Sequence, residues 1–113
     1  MVEIKIDIDR KGKKVINSFR FRYAYLVRYF KEFKNAKKSI VYTKKGYHIR
    51  INTDAQLTDY EIIIIQMVLM SDWLRELRNY KRVKSCDIYW NLLFKTKIKN
   101  GKIQHERKCN IKI

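Results

Sequence analysis

Two aspartates, Asp7 and Asp9, stand two residues apart in the alternating run Ile4-Lys5-Ile6-Asp7-Ile8-Asp9. In a β-strand that spacing puts both carboxylates on one face. His48 and Arg50 repeat it within Tyr47-His48-Ile49-Arg50-Ile51, so they also share a face. If the two strands are neighbours, a carboxylate pair meets an imidazole and a guanidinium. One or two carboxylates together with substrate phosphates are a common way of holding Mg²⁺. Two such ions can clamp an in-line phosphoryl transfer. The turn Lys44-Lys45-Gly46 lies where a triphosphate could be gripped, and Arg50 could pair bidentately with phosphate. The same carboxylates could instead pair with Lys5, Arg10 or Arg50 as a solvated charge mosaic on an exposed sheet.

The elements that must position these residues follow from hydrophobic periodicity. Val2, Ile4, Ile6 and Ile8 alternate with Glu3, Lys5, Asp7 and Asp9, which predicts a strand with one buried face. After the polar turn at residues 10–14, Asn17 or Ser18 is the expected cap of a helix running to about residue 35. Its apolar stripe is Phe19, Tyr23, Leu26, Phe30 and Phe33, with Arg20, Arg28, Lys31 and Lys34 on an adjoining face. Residues 39–43 and 47–51 read as a β-hairpin with Gly46 in its connection.

Thr58 and Glu61 have capping-box spacing ahead of a second helix expected over about residues 59–80. Ile62, Ile65, Leu69, Trp73 and Leu77 form its expected buried stripe. Arg75, Arg78 and Arg82 cluster near its C-terminal end, where they suit the helix dipole and could meet an anion. Residues 83–90 are ambiguous between a strand and a short helical turn. Beyond them Phe94, Thr96 and Ile98 alternate with lysines up to Asn100-Gly101, a strong hairpin signal. The order is β-α-β-β-α-β plus a C-terminal hairpin. It predicts an α+β, ferredoxin-like two-layer sandwich in one domain, with a core over about residues 1–90 and an extension over about 91–113. In that topology the first and third strands lie side by side in the middle of the sheet. The helices cover one face and leave the other open to ligands.

The two motifs give a family resemblance. Ile4-Lys5-Ile6-Asp7-Ile8-Asp9 resembles the acidic motif of the archaeo-eukaryotic primase–polymerase superfamily. Thr43-Lys44-Lys45-Gly46-Tyr47-His48-Ile49-Arg50-Ile51 resembles its second motif, a turn leading into Gly-x-His and a hydrophobic strand. The order of the motifs and the helix between them are similar as well. The resemblance covers nearly half the chain. It implies an RRM-like catalytic core, Mg²⁺ or Mn²⁺, metal ligands at Asp7 and Asp9, and a nucleotide-phosphate contact at His48. Asp87 is the candidate for the family's third acidic position. The family's Ser-Gly before the basic residue is replaced here by Tyr42-Thr43-Lys44, and active members are considerably longer. Lys45-Gly46-Tyr47 also resembles an RNA-recognition strand motif, but alternation turns Tyr47 inward, away from bases. Rolling-circle initiators use a His-hydrophobic-His pair, whose second histidine is absent from His48-Ile49-Arg50.

Composition narrows the function. In 113 residues there are 27 Lys and Arg against 11 Asp and Glu, a net charge of +16, with 46% hydrophobic residues. The apolar content excludes a disordered basic tail, and the charge points to an anionic partner, DNA or RNA. The compact basic style resembles that of small proteins from archaeal viruses and plasmids, and the expected function is a small basic nucleic-acid-binding protein with an RRM-like fold. Its phosphate contacts would come from Arg20, Arg28, Lys31, Lys34, Lys44, Lys45, Arg75, Arg78 and Arg82. The alternatives are a metal-dependent nucleotidyltransferase using His48 and Arg50 with Asp7, Asp9 and Asp87, and a viral module that binds a host protein. An edge strand of the C-terminal hairpin could support a homodimer. Cys86 and Cys109 are expected as free thiols, since one histidine at His105 adds little to a zinc signal. No apolar run approaches the roughly 20 residues of a membrane span, and the cytoplasm is the expected compartment.

Overall fold

The computed structural model describes residues 1–99 and 101–113, with residues 96–99 described by their backbone. The expected turn residue Asn100 lies outside the described residues, as does the side-chain alternation of Thr96 and Ile98. The fold is mixed α+β: three helices and an antiparallel sheet of four strands, with a separate two-stranded hairpin.

Strand β1 (Val2–Ile8) pairs with β3 (Tyr47–Thr53), and β3 pairs with β2 (Lys37–Tyr42). Ile4, Ile6 and Ile8 from β1 and Tyr47, Ile49 and Ile51 from β3 are buried on one face, as their alternation requires. Helix α1 (Lys13–Tyr29) closes that face with Ile16, Phe19, Tyr23 and Leu26. It begins four residues ahead of Asn17, because Gly12 takes a left-handed φ of 124° and caps it. The Gly12 amide donates to the Tyr47 hydroxyl, which ties the helix start to β3. The helix also stops before residue 35: Phe30 is extended and a 3-10 turn follows at Lys31–Phe33. That break lets Phe33 enter the core, where the Tyr23 hydroxyl donates to its carbonyl.

The expected second helix is two helices. Thr58 and Glu61 form the capping box of α2 (Asp59–Val68) as their spacing predicts. Met70 then takes φ 75°, and the Asp72 carboxylate accepts from the Arg75 amide to start α3 (Trp73–Lys84). The break resets the helical phase. Trp73 and Leu77, expected in the core, are therefore exposed beside Ile64 and Met67, and Gln66, Glu76 and Asn79 are buried instead.

Those buried polar groups explain why β1 lies at the edge of the sheet rather than in its middle. The sheet order is β1-β3-β2-β6, where β6 is Arg107–Lys108, and residues 83–90 contain no strand. Backbone groups on the outer side of β1 bond to side chains and to one backbone amide instead of another strand. Lys5 N–H donates to Gln66, Asp7 N–H donates to the Ser71 hydroxyl, and Lys5 C=O accepts from Arg75. Asp7 C=O accepts from the Asp72 amide. Glu76, wholly buried, accepts from Gln66, Ser71, Asn79 and Arg75 and so anchors this substitute edge. Edge groups satisfied in this way are no longer open to another strand.

The C-terminal hairpin forms from β4 (Thr96–Lys99) and β5 (Lys102–His105), with Gly101 at φ 73°. Strand β6 (Arg107–Lys108) then joins the far edge at β2. The chain thus passes from Asn91, beside β1, to Arg107, beside β2, across the sheet face expected to be open. Cys86 and Cys109 are free. Among the described residues no helix is long and apolar enough to cross a membrane.

Candidate functional site

Pairing of β1 with β3 puts Asp7 directly opposite His48, and Lys5 opposite Arg50. The His48 Nε2 lies 3.4 Å from the Asp7 carboxylate. The other ring nitrogen, Nδ1, lies 2.6 Å from the Glu106 carboxylate. Arg50 meets the same carboxylate through two nitrogens, at 2.9 and 3.3 Å. The result is a chain of polar contacts, Asp7–His48–Glu106–Arg50, in which His48 is only 4% exposed. Burial of the Glu106 carboxyl opposes its ionisation and is the largest single influence. Hydrogen bonds from Arg50 and His48, with their charges, outweigh it and hold the carboxyl below its usual range.

Glu106 makes the crossing segment a roof. A cavity of about 120 Å³ beneath it is lined by Asp7, Asp9 and His48 from the sheet, Lys44 and Lys45 from the hairpin turn, and Phe94 and Glu106 from the roof. Asp7, Asp9, His48 and Phe94 also line a second, larger cleft of about 470 Å³, whose far wall carries Arg78 and Arg82. The two carboxylates and the histidine therefore stand between lysines on one side and arginines on the other.

Gly46 makes this convergence possible. A Cβ on Gly46 would lie 1.7 Å from the Ile8 carbonyl oxygen and 2.8 Å from the Arg10 nitrogen. The end of β1 crosses directly over the turn, and that crossing carries Asp9 to Lys44 and Lys45. This glycine supplies room rather than an unusual φ. Thr43 completes the turn, its hydroxyl accepting from the Gly46 amide at 2.9 Å.

The candidates named from sequence divide into groups. Asp7, Asp9, His48, Lys44 and Lys45 line one cavity. Arg50 shares their sheet face, with its guanidinium turned onto Glu106. Arg78 and Arg82 reach the adjoining cleft. Arg75 lines that cleft too, but it is not a surface side chain. It is 8% exposed, and its guanidinium is spent on Glu76, Asn91 and the carbonyls of Lys5 and Leu92. Asp87 does not join Asp7 and Asp9 either. It lies in an exposed turn after α3 and accepts from the Tyr89 amide. Among the described residues no three His, Cys, Asp or Glu side chains are grouped to hold a metal ion. Arg20, Arg28, Lys31 and Lys34 are exposed on α1 and the turn that follows it.

Glu106 and Phe94 were not among the sequence candidates. Glu106 had a visible signal, as the only acidic residue after Asp87 in a strongly basic tail. Phe94 had none beyond its place in an alternating run. Compared with known protein families, with characterised proteins and with solved structures, the chain gives no significant match.

Proposed function

We propose that this protein binds nucleic acid through phosphate contacts. The observation that carries the reading is the division of charge. Several acids are turned to structural work: Glu76 and Glu106 are held by Arg75 and Arg50, and Asp72 and Glu61 serve as caps, while Glu3, Asp9, Asp54 and Asp87 stay exposed. The basic side chains of α1, of the Lys44-Lys45 turn and of the Arg78–Arg82 wall stay at the surface or line clefts. An excess of 27 Lys and Arg over 11 Asp and Glu, a net charge of +16, suits a polyanion. Titrating labelled single- and double-stranded oligonucleotides at low salt tests this. Binding that weakens steeply as salt rises supports the reading, and no binding at low salt removes it.

A second reading is supported by one specific observation, the meeting of Asp7, Asp9 and His48 in a cavity flanked by lysines. That set suits a nucleotide phosphate, and two carboxylates with substrate phosphates can suffice for Mg²⁺ or Mn²⁺. The β1-α1-β2-β3-α2 succession with β3 between β1 and β2 fits five elements of a ferredoxin-like, RRM-like core. This supports kinship with primase–polymerases, with the α2–α3 junction standing where the fourth strand would pair. Divalent-metal-dependent incorporation of labelled nucleotide, lost in D7A/D9A, is the expected result. Incorporation indifferent to metal and to both carboxylates would reject the reading.

A further inference from the structure

The outer side of α1 carries aromatic rings that the core does not use. Ile16, Phe19, Tyr23 and Leu26 form the buried stripe. At helical spacing, Phe21, Tyr25 and Tyr29 fall on the opposite side. They are 65%, 46% and 79% exposed. Their spacing of four residues sets successive rings about 6 Å apart along the axis. Phe21 and Tyr25 touch edge to face at 5.1 Å between centroids. The Arg28 guanidinium lies 4.9 Å over the Tyr25 ring. Exposed aromatic area of this kind needs a partner to be of use.

The charge on the same helix identifies the partner. Helix α1 carries Lys13, Lys14, Arg20, Arg22 and Arg28 and no acidic residue. Arg20 and Arg22 donate to the carbonyls of Lys112 and Val68, which carry no net charge, so an apolar protein surface would match the rings and leave the helix's positive charge unanswered. A nucleic-acid duplex would match the cations and hide its bases from the rings. Single-stranded nucleic acid offers both a phosphate backbone and free base faces, and rows of aromatics with cations are how such strands are held. We propose that the outer face of α1 is a stacking platform for unpaired bases, with Phe21 and Tyr25 as its principal rings and Arg28 holding Tyr25 in place. The inference rests on the nucleic-acid reading and adds to it the strandedness of the ligand and where its unpaired bases stack.

The test is fluorescence anisotropy of the full chain with a labelled mixed-sequence single strand of about 20 nucleotides and with the duplex of that sequence. The variants are F21A/Y25A and F21L/Y25L. Both rings are exposed, so both variants keep their cores, which equal melting temperatures verify. Loss of stacking should weaken single-strand binding about 5- to 150-fold per base released. Duplex binding and the salt slope should stay unchanged, because no phosphate contact is removed. The leucine pair should lose as much as the alanine pair, since leucine keeps apolar area without a π face. Single-strand affinity unaltered in both variants overturns the platform and leaves the nucleic-acid reading standing. Full retention by the leucine pair alone also overturns it, since apolar area without a π face would then suffice, and a dimer in sedimentation that the alanine pair dissolves overturns it and assigns the face to contact between copies of the chain. Failure of the unaltered protein to bind any oligonucleotide overturns the nucleic-acid reading and the platform together.

Discussion

Replacing Glu106 with alanine should destabilise the protein out of proportion to one partly exposed side chain. The substitution removes the 2.6 Å contact to His48 and two contacts to Arg50. A hydrogen bond to a charged group contributes about 1.5–3 kcal/mol net, and a buried group left without a partner costs about 1–3 kcal/mol. His48, at 4% exposure, has little access to replacement water. Arg50, with its side chain 16% exposed, recovers some. The expected loss is about 3–5 kcal/mol, in line with breaking a largely buried charge pair. At this chain length that lowers Tm by about 12–20 °C. E106Q, which keeps the shape and one acceptor, should lose less.

The pH dependence follows from the lowered Glu106 pKa. A carboxyl whose folded pKa lies below its unfolded value stabilises fully above the unfolded value, 4.5, and loses that contribution as pH falls through the folded one. The gap between wild type and E106A should therefore be full at pH 7 and narrow steadily below about pH 4.5. Urea denaturation at both pH values, followed by tryptophan fluorescence, measures it. A variant as stable as wild type at pH 7, or a gap that widens in acid, would show that Glu106 does not hold His48 and Arg50 as an ionised carboxylate.

Other predictions concern the elements around the site. G46A should cost about 3 kcal/mol or more, because the Ile8 carbonyl, 1.7 Å from the added Cβ, is backbone and cannot swing aside. Chemical denaturation reads that loss, and a stable G46A would mean that β1 does not cross the turn closely. R75A should be destabilised by about 3–5 kcal/mol, because the buried Glu76 carboxylate loses its cation. R78A should change stability by no more than about 0.5 kcal/mol. It should weaken oligonucleotide binding and lower the salt slope by about one unit. Reversed behaviour of the two arginines would contradict their division into structural and ligand-facing roles.

Sequence periodicity revealed the parts of the fold whose signal is local. Alternation in β1 and β3 placed Asp7 and His48 on a shared face, and the strands do set them opposite each other. Thr58 and Glu61 marked the start of α2 because a capping box is a contact between near neighbours. The break between α2 and α3 was hidden, because Leu69, Trp73 and Leu77 continue a helical period straight through it. Polar Gln66 inside the apolar run and the cap-forming Asp72 were the contrary signs, and both became meaningful only against the outer edge of β1. Arg75 and Arg78 look alike in sequence. Their fates differ because Arg75 and Glu76 turn beneath that edge, a placement set by packing. The roof depends on a pairing between Glu106 and residues 56 and 58 positions away, which no local pattern encodes.

The salt dependence of oligonucleotide binding tests the central claim most directly. The logarithm of the association constant for a single strand, plotted against the logarithm of salt concentration, falls by about 0.7 per phosphate neutralised. With four or more phosphates held by the surface cations, the expected line has a slope of about −3 or steeper. A flat line, or no association at the lowest salt, would contradict it.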